Sequence, residues 1–292
     1  MKVSNFNKGI IVSGLGSFWW GVIGVIYFQY FSFVGHIELV IHRCLWTALM
    51  LILTTTILSK WKILFKIFSD IRKIFVLFLT GFLIFTNWTV WIYAVATNQI
   101  INASFGYFIM PILSVLFGYI FFNEILNKKR IISIFLVLIS VSYLFLDFDT
   151  VPWVGLLVAL SWSIYNLLRK TIIVETDIGL LIESLFILPF AIIAFYILIN
   201  KGVNDFSLSN IPLMLLLLLA GPMTVIPLFL YVRGVELSGL GPTGMIFFIT
   251  PFFQFLLGFF YYDEPFSIQK FISFIFIWIA VFIYLKDLYE NN

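Results

Sequence analysis

The sequence predicts an all-α integral membrane protein of about ten transmembrane helices, arranged as two inverted five-helix repeats. Three observations lead to this fold class: the composition, a series of apolar runs, and an internal repeat. Of the residues, 62% are hydrophobic and only 11% are charged, whereas soluble domains carry about 25% charged residues. Most of the protein surface must therefore face lipid, and the lipid bilayer is its first predicted partner.

Ten apolar runs follow one another with short connections. A helix needs about 20 residues to cross the hydrocarbon core, and every backbone polar group in that core must be bonded within the segment. Runs of this length therefore predict helices. They cover residues 8–29, 37–59, 72–97, 101–122, 130–147, 153–171, 178–199, 211–234, 241–262 and 268–287.

Basic residues fall on one side of the predicted membrane. With the N-terminus inside, only Lys201 and Lys270 are external, and Arg43 lies within a span. The other fourteen of the seventeen are internal: Lys2, Lys8, Lys60, Lys62, Lys66, Arg72, Lys73, Lys128, Lys129, Arg130, Arg169, Lys170, Arg233 and Lys286. The positive-inside rule then predicts a multi-pass protein of the cell (inner) membrane with both termini cytoplasmic.

The two halves of the chain resemble each other. Shifted by 140 residues, segment 81–145 aligns with 221–285 without a gap. Identical pairs include Gly81 with Gly221, Pro111 with Pro251, and Glu124 with Glu264. Residues 1–147 and 148–292 are thus predicted to be two repeats within one membrane-embedded unit. Five helices is an odd number, so the repeats must be inverted, as in many secondary transporters with a midplane site.

The second span carries the charged residues Glu38, His42 and Arg43. Intramembrane charge is costly and usually marks a functional site, so these residues are predicted to belong to a substrate or coupling pathway. In the alternative interpretation, Arg43 snorkels to the external headgroups while Glu38 and His42 cap the start of the helix. His36 points away from the other two, and no metal site is predicted.

Glu183 lies inside the seventh span without a basic residue in the same span. It requires a partner on another helix, a water-filled cavity, or a bound proton. Protons are therefore a candidate coupling partner, with His42 as the next group that could carry one. The alternative is a structural, hydrogen-bonded carboxyl group.

Polar and aromatic residues gather at interior depth. Asn87 is near the middle of the third span, and the aromatic residues at interior or near-interior depth are Trp19, Trp20, Trp88, Trp91, Tyr107 and Tyr165. Aromatic faces bind planar or cationic solutes. Asn87, Trp88, Trp91, Tyr107 and Tyr165 are predicted to line the pathway; the alternative for aromatic residues is packing against lipid.

Four prolines interrupt predicted helices at corresponding depths of the two halves, namely Pro111, Pro222, Pro227 and Pro251. Proline removes helical hydrogen bonds and frees carbonyl groups. Such breaks persist in membranes where they line a cavity or pack against protein. Their symmetric placement favours a cavity-lining role, and a packing kink is the alternative.

The chain has no Walker A loop, no H-E-x-x-H motif and no paired-cysteine metal motif. We therefore expect no enzyme activity, no cofactor and no nucleic-acid partner. Two rival functions are weighed against transport: a membrane-embedded enzyme, which needs a converging nucleophile or metal set, and a structural membrane protein, which needs no polar groups at matched depths.

Several segments together resemble RarD-type permeases of the EamA-type drug/metabolite transporter superfamily. They are Leu39–Arg43, Asn87–Trp88, Trp91–Val95, Gly106–Pro111, Arg169–Lys170, Gly179–Glu183 and Phe276–Trp278. The resemblance covers essentially the whole chain. It implies ten helices in inverted five-helix repeats and transport of small organic solutes, here predicted to proceed by alternating access.

Overall fold

The computed structural model describes residues 4–31, 33–96, 100–145, 153–260 and 268–291. The boundary predicted between the repeats, at 147/148, and Glu264 lie outside the described residues. The helices are α1 (Asn5–Trp19), α2 (Val25–Tyr30), α3 (His36–Ile57), α4 (Trp61–Phe68), α5 (Ile71–Ala96), α6 (Ile100–Phe122), α7 (Lys128–Phe145), α8 (Trp153–Lys170), α9 (Thr176–Lys201), α10 (Ile211–Leu218), α11 (Ala220–Ser238), α12 (Leu240–Ile246), α13 (Ile249–Phe260) and α14 (Ile268–Asn291).

Helix covers each predicted run within the described part of the chain, with local departures from α geometry. A π-helical turn, Trp20–Gly24, joins α1 to α2. The eighth predicted span is divided between α10 and α11, and the ninth between α12 and α13. Helix α4 was not predicted. Its eight residues are too few to cross a membrane.

Five helical segments among the described residues are long and apolar enough to cross a membrane. They are Asn5–Tyr30, His36–Ile57, Ile71–Ala94, Thr176–Lys201 and Leu208–Ser238. Large apolar side chains such as Phe82, Phe190 and Phe282 are exposed on the outside of the bundle, where lipid can cover them. The all-α membrane fold is confirmed, whereas the count of ten spans and their inverted relation stay predictions.

Helices from the two halves of the chain interleave. α1 packs on α11 and α5 packs on α8; α3 packs on α9 and α7 packs on α14. Small residues permit close approach: a Cβ atom on Gly16 would lie 2.8 Å from the Pro227 carbonyl oxygen, and one on Gly221 would lie 2.6 Å from the Trp46 carbonyl oxygen. Membrane helices pack in this way when glycine lets their backbones meet.

Candidate solute cavity

A cavity with about 510 Å³ of empty space lies between the helices of the two halves. The described lining residues are mostly aromatic: Trp20, Gly24, Phe28, Arg43, Asn87, Trp88, Trp91, Tyr107, Trp162, Phe247, Thr250 and Gln254. None of these twelve is acidic. The described lining is thus mostly aromatic, with a few polar groups and one cation.

Arg43 is the cation of the cavity. It lies in α3 and is 5% exposed. Its Nε donates a hydrogen bond to Thr224 Oγ1 of α11 at 3.0 Å. Its guanidinium carbon lies 4.6 Å from the centre of the Trp88 ring and 5.1 Å from that of Phe28, within the range of cation–π attraction. Protein surrounds the group, so it does not snorkel to the headgroups.

Aromatic rings from both halves form a contiguous cluster at the cavity. Trp20 meets Trp162 edge to face, with 5.1 Å between ring centres. Phe247 lies 5.6 Å from Tyr107 and 5.4 Å from Tyr231 by the same measure. These rings hold one another in place through packing, and they give the cavity rigid flat faces.

Asn87 fixes the wall between α5 and α8. Its Nδ2 donates to the carbonyl oxygen of Val158 at 3.0 Å and to Ser161 Oγ at 3.1 Å. On the opposite wall, Thr250 Oγ1 donates to the carbonyl oxygen of Ser17 at 2.9 Å. Both polar side chains thus serve helix contacts as well as lining the cavity.

Glu183 has a cross-helix partner, one of the three options left open by the sequence. Its Oε1 lies 3.4 Å from Arg169 Nε and accepts a hydrogen bond from Thr80 Oγ1 at 2.7 Å. The Tyr165 hydroxyl donates to Oε2 at 3.3 Å. Neither Glu183 nor Tyr165 is among the lining residues. The Tyr165 ring stacks on that of the lining residue Trp162, with 5.5 Å between ring centres.

Glu38 and His42 form a second polar cluster outside the lining. His42 Nε2 is 3.3 Å from Glu38 Oε1, as their spacing of one helical turn predicts. The Glu38 carboxylate also accepts hydrogen bonds from the backbone N–H groups of Asp205 and Phe206, at 2.8–2.9 Å. Burial, reinforced by the negative charge of Glu38, raises the pKa of the Asp205 carboxyl group. The cluster fastens the connection after α9 to the start of α3.

None of the four predicted prolines is among the described lining residues. α6 continues through Pro111 and α11 continues through Pro227, so neither proline ends its helix. The carbonyl group of Pro227 packs against Gly16, which agrees with the alternative of a packing kink. The helices are interrupted at residue 219, between α10 and α11, and at residues 247–248, between α12 and α13. Pro222 and Pro251 each lie three residues after one of these interruptions. At the second interruption, Phe247 lines the cavity.

Ionic contacts join the two halves at the end of the bundle predicted to be cytoplasmic. Glu124 accepts hydrogen bonds from Lys170 Nζ at 2.7 Å and from two backbone N–H groups at the start of α12, at 2.8 and 2.9 Å. Lys60 Nζ donates to Glu175 at 2.8 Å and to Asp177 at 2.6 Å. Burial alone would lower the pKa of Lys60, but its hydrogen bonds to Asp177 and Glu175 outweigh burial and raise it.

The structure therefore brings five predicted residues into one cavity: Arg43, Asn87, Trp88, Trp91 and Tyr107. Their functional roles stay predictions.

Among the lining residues that sequence reasoning did not assign to the pathway are Gly24, Phe28, Trp162, Phe247, Thr250 and Gln254. Polar residues within a membrane span mark an interior face. Thr250 and Gln254 were therefore signals in their own right, and Ser161 and Ser163 were signals on either side of Trp162.

Sequence similarity to known proteins shows to which family this chain belongs. The EamA-like transporter family matches residues 7–146. Protein RarD of Escherichia coli is 30% identical over 287 residues, which cover 98% of this chain and 97% of that protein. The chain is a RarD-type member of the EamA-like transporter family. An uncharacterised transporter of Vibrio cholerae is 34% identical, over 96% of this chain and 92% of its own length.

A solved crystal structure supports the fold of this EamA-family chain. It aligns with a TM-score of 0.68 at 14% identity, over 95% of this chain and 97% of the other. The fold and the relatives together make the protein a multi-pass membrane transporter.

Proposed function

We propose that this protein is a secondary carrier of small organic solutes, that it works by alternating access, and that the aromatic cavity holds the solute. The observation that carries the proposal is the cavity itself, which lies between helices of both halves and is lined mostly by aromatic side chains. The proposal places the carrier in the cell membrane with both termini cytoplasmic, following its basic loops.

Matching contacts in the two halves support an inverted repeat around the cavity. Gly221 packs on the backbone of α3, and its counterpart Gly81 packs on the backbone of α9. Arg43 of α3 bonds to Thr224 of α11, while Glu183 of α9 bonds to Thr80 of α5. α3 and α9 are the second spans of their halves, and α11 and α5 are the third, so the same pair of spans meets in both cases. At the offset of 140 residues, however, Thr80 corresponds to Ala220 and not to Thr224. Inverted repeats are typical of carriers in which one half rocks against the other.

The distribution of contacts along the bundle supports alternating access. The ionic contacts of Glu124 and Lys60 tie the halves together at the predicted cytoplasmic end. The cavity, by contrast, is lined by residues such as Arg43 and Trp91, which lie toward the predicted external ends of α3 and α5. In this state, solute would reach the cavity from outside, and the cycle would require the contacts at the other end to open.

Uptake into proteoliposomes tests the proposal, because neither a structural protein nor a membrane enzyme accumulates unmodified solute. Gly24 lines the cavity, and a Cβ atom there would meet other atoms only at 3.6 Å. Gly24→Leu should therefore fit the helix but fill the cavity and abolish uptake. Gly14→Leu is the matched control in α1, since a Cβ atom at Gly14 meets its neighbours at 3.7 Å and the residue does not line the cavity.

Equal uptake by the two leucine variants would show that the cavity is not on the transport path. Failure of a broad panel of labelled solutes to enter the liposomes would contradict transport by this chain alone. Chemical conversion of a solute by the purified protein would favour the membrane-enzyme alternative.

A further inference from the structure

Arg43, the cation that lines the cavity, has no anionic partner among the residues that the structure describes. Thr224 accepts the hydrogen bond from Arg43 Nε. Among the described residues, neither terminal nitrogen of Arg43 has a hydrogen-bond partner, and no carboxylate lies within salt-bridge distance. The other buried arginines differ: Arg130 pairs with Asp287 at 2.9 Å, and Arg169 pairs with Glu183 at 3.4 Å.

An unpaired buried charge is unstable unless something compensates it. The rings of Trp88 and Phe28 give part of that compensation through cation–π attraction. The rings do not accept hydrogen bonds from the N–H groups at the edge of the guanidinium. Those N–H groups match the geometry of a carboxylate or phosphate. These N–H groups are therefore left available for an anionic group in the cavity.

A further donor belongs to a lining residue. The indole Nε1 atom of Trp20 is buried and has no hydrogen-bond partner among the described residues, and its ring lines the cavity. An indole N–H group can only donate. Together with the guanidinium, this group favours a ligand rich in acceptors, and the described lining residues include no acidic group that would attract a cation.

We propose that the transported solute carries an anionic group bound by Arg43 and a planar ring held between the aromatic walls of the cavity. This inference rests on the proposed transport function and narrows it to a substrate class, planar organic anions. The flat faces of Trp88, Trp20 and Trp162 suit a ring, and Arg43 sets the orientation of the charged end. Trp88 would contact both the guanidinium and the solute.

Four probes of similar size distinguish the contribution of the negative charge to binding from that of the flat ring: benzoate, benzamide, benzylamine and cyclohexanecarboxylate. Binding to the purified protein can be measured as a rise in the unfolding temperature. Cys44, the only cysteine, is buried, so a thiol-reactive dye reports unfolding. Benzoate should bind at least about tenfold more tightly than benzamide, as a charge-assisted hydrogen bond to arginine predicts. It should also bind several-fold more tightly than cyclohexanecarboxylate, which has no flat ring.

Arg43→Lys keeps the charge but loses the planar fork, so the preference for benzoate over benzamide should fall to about threefold or less. Arg130→Lys is the matched control, because Arg130 is also buried and also lies over an aromatic ring, that of Tyr284 at 5.5 Å, but is outside the cavity. Should Arg43→Lys not fold, Thr224→Val removes the acceptor that orients Arg43 and should lower the preference several-fold.

Equal binding of benzoate and benzamide, or a preference unchanged by the Arg43 and Thr224 variants, would overturn the inference. Uptake of the same probes into liposomes distinguishes a failure of this inference from a failure of the proposed transport function. Uptake of benzylamine or benzamide without any preference for benzoate leaves the carrier proposal standing and refutes the anion site. Arg43-dependent binding of benzoate without uptake of any probe leaves the anion site standing and refutes transport of these probes.

Discussion

Neutralising Glu183 tests whether this residue stabilises the fold or couples transport to protons. The Glu183 carboxylate is 2% exposed and the Arg169 side chain is 3% exposed, with 3.4 Å between Oε1 and Nε. No nitrogen of the Arg169 guanidinium has a hydrogen bond of good geometry to a described residue. Glu183 is therefore the principal compensation for a fully buried positive charge.

The cost of Glu183→Gln follows from this geometry. At 3.4 Å and an effective dielectric constant of about 20, two unit charges attract by about 5 kcal/mol. Removing one partner of a buried pair typically destabilises a protein by about 3–5 kcal/mol, because it leaves the other charge uncompensated. We expect Glu183→Gln to lower the free energy of unfolding by that amount. The double variant Glu183→Met with Arg169→Met removes both charges and should recover most of the loss.

Thermal unfolding monitored with a thiol-reactive dye at Cys44 measures the effect. A loss of about 3–5 kcal/mol corresponds to a fall of roughly 6–20 °C in the unfolding temperature. Asp70→Asn is the control: it breaks the exposed ion pair with Lys73. Because solvent screens such a pair, the unfolding temperature should hardly change.

The reasoning would be refuted by a Glu183→Gln variant that unfolds within about 1 kcal/mol of the unmodified protein, or by a double variant less stable than either single one. A stable Glu183→Gln variant that lost proton-driven accumulation, but kept solute exchange, would instead support the coupling role predicted from the sequence.

Three further predictions concern packing, closure and topology. Gly221→Ala should destabilise the protein by about 1–3 kcal/mol, because its Cβ atom would lie 2.6 Å from a backbone carbonyl oxygen of α3. Gly14→Ala should not, because the nearest atom to its Cβ would be 3.7 Å away. Thermal unfolding compares the two variants. Glu124→Gln removes the charge that Lys170 and the start of α12 share and should lower the free energy of unfolding by about 1–3 kcal/mol. Glu290→Gln, in an exposed pair, should leave the unfolding temperature almost unchanged in the same assay. A cysteine replacing Lys66, in a protein lacking the native cysteine, should react with an impermeant thiol reagent only after cells are opened; labelling of intact cells would contradict cytoplasmic placement.

The helices could be predicted from sequence because apolar runs of membrane length permit few other structures. Helix α4 was missed because it lies among lysines and is short. Its apolar residues Trp61, Leu64, Phe65 and Phe68 nevertheless recur at helical spacing. This amphipathic pattern was a signal that a search for spans alone ignores.

The cavity could be predicted only in part. Arg43 and Asn87 were identifiable because polar groups inside spans are costly. Phe247 was not, because a phenylalanine in an apolar run carries no information about whether it faces lipid or protein. Glu183 and Arg169 are in different helices, α9 and α8, and only the packing of these helices shows that the two side chains meet.

Two positions that the predicted repeat would relate, if its offset extends to the second span, hold opposite charges. Glu183 is 140 residues after Arg43, the same offset that relates Gly81 to Gly221. The negative member is balanced by Arg169, but the positive member faces open space. Among the described residues, the cavity thus carries a positive charge without a carboxylate partner, whereas the charges of Glu183 and Arg169 compensate each other. In the proposed carrier, an anionic solute would be attracted at the depth of Arg43, and α3 determines that depth.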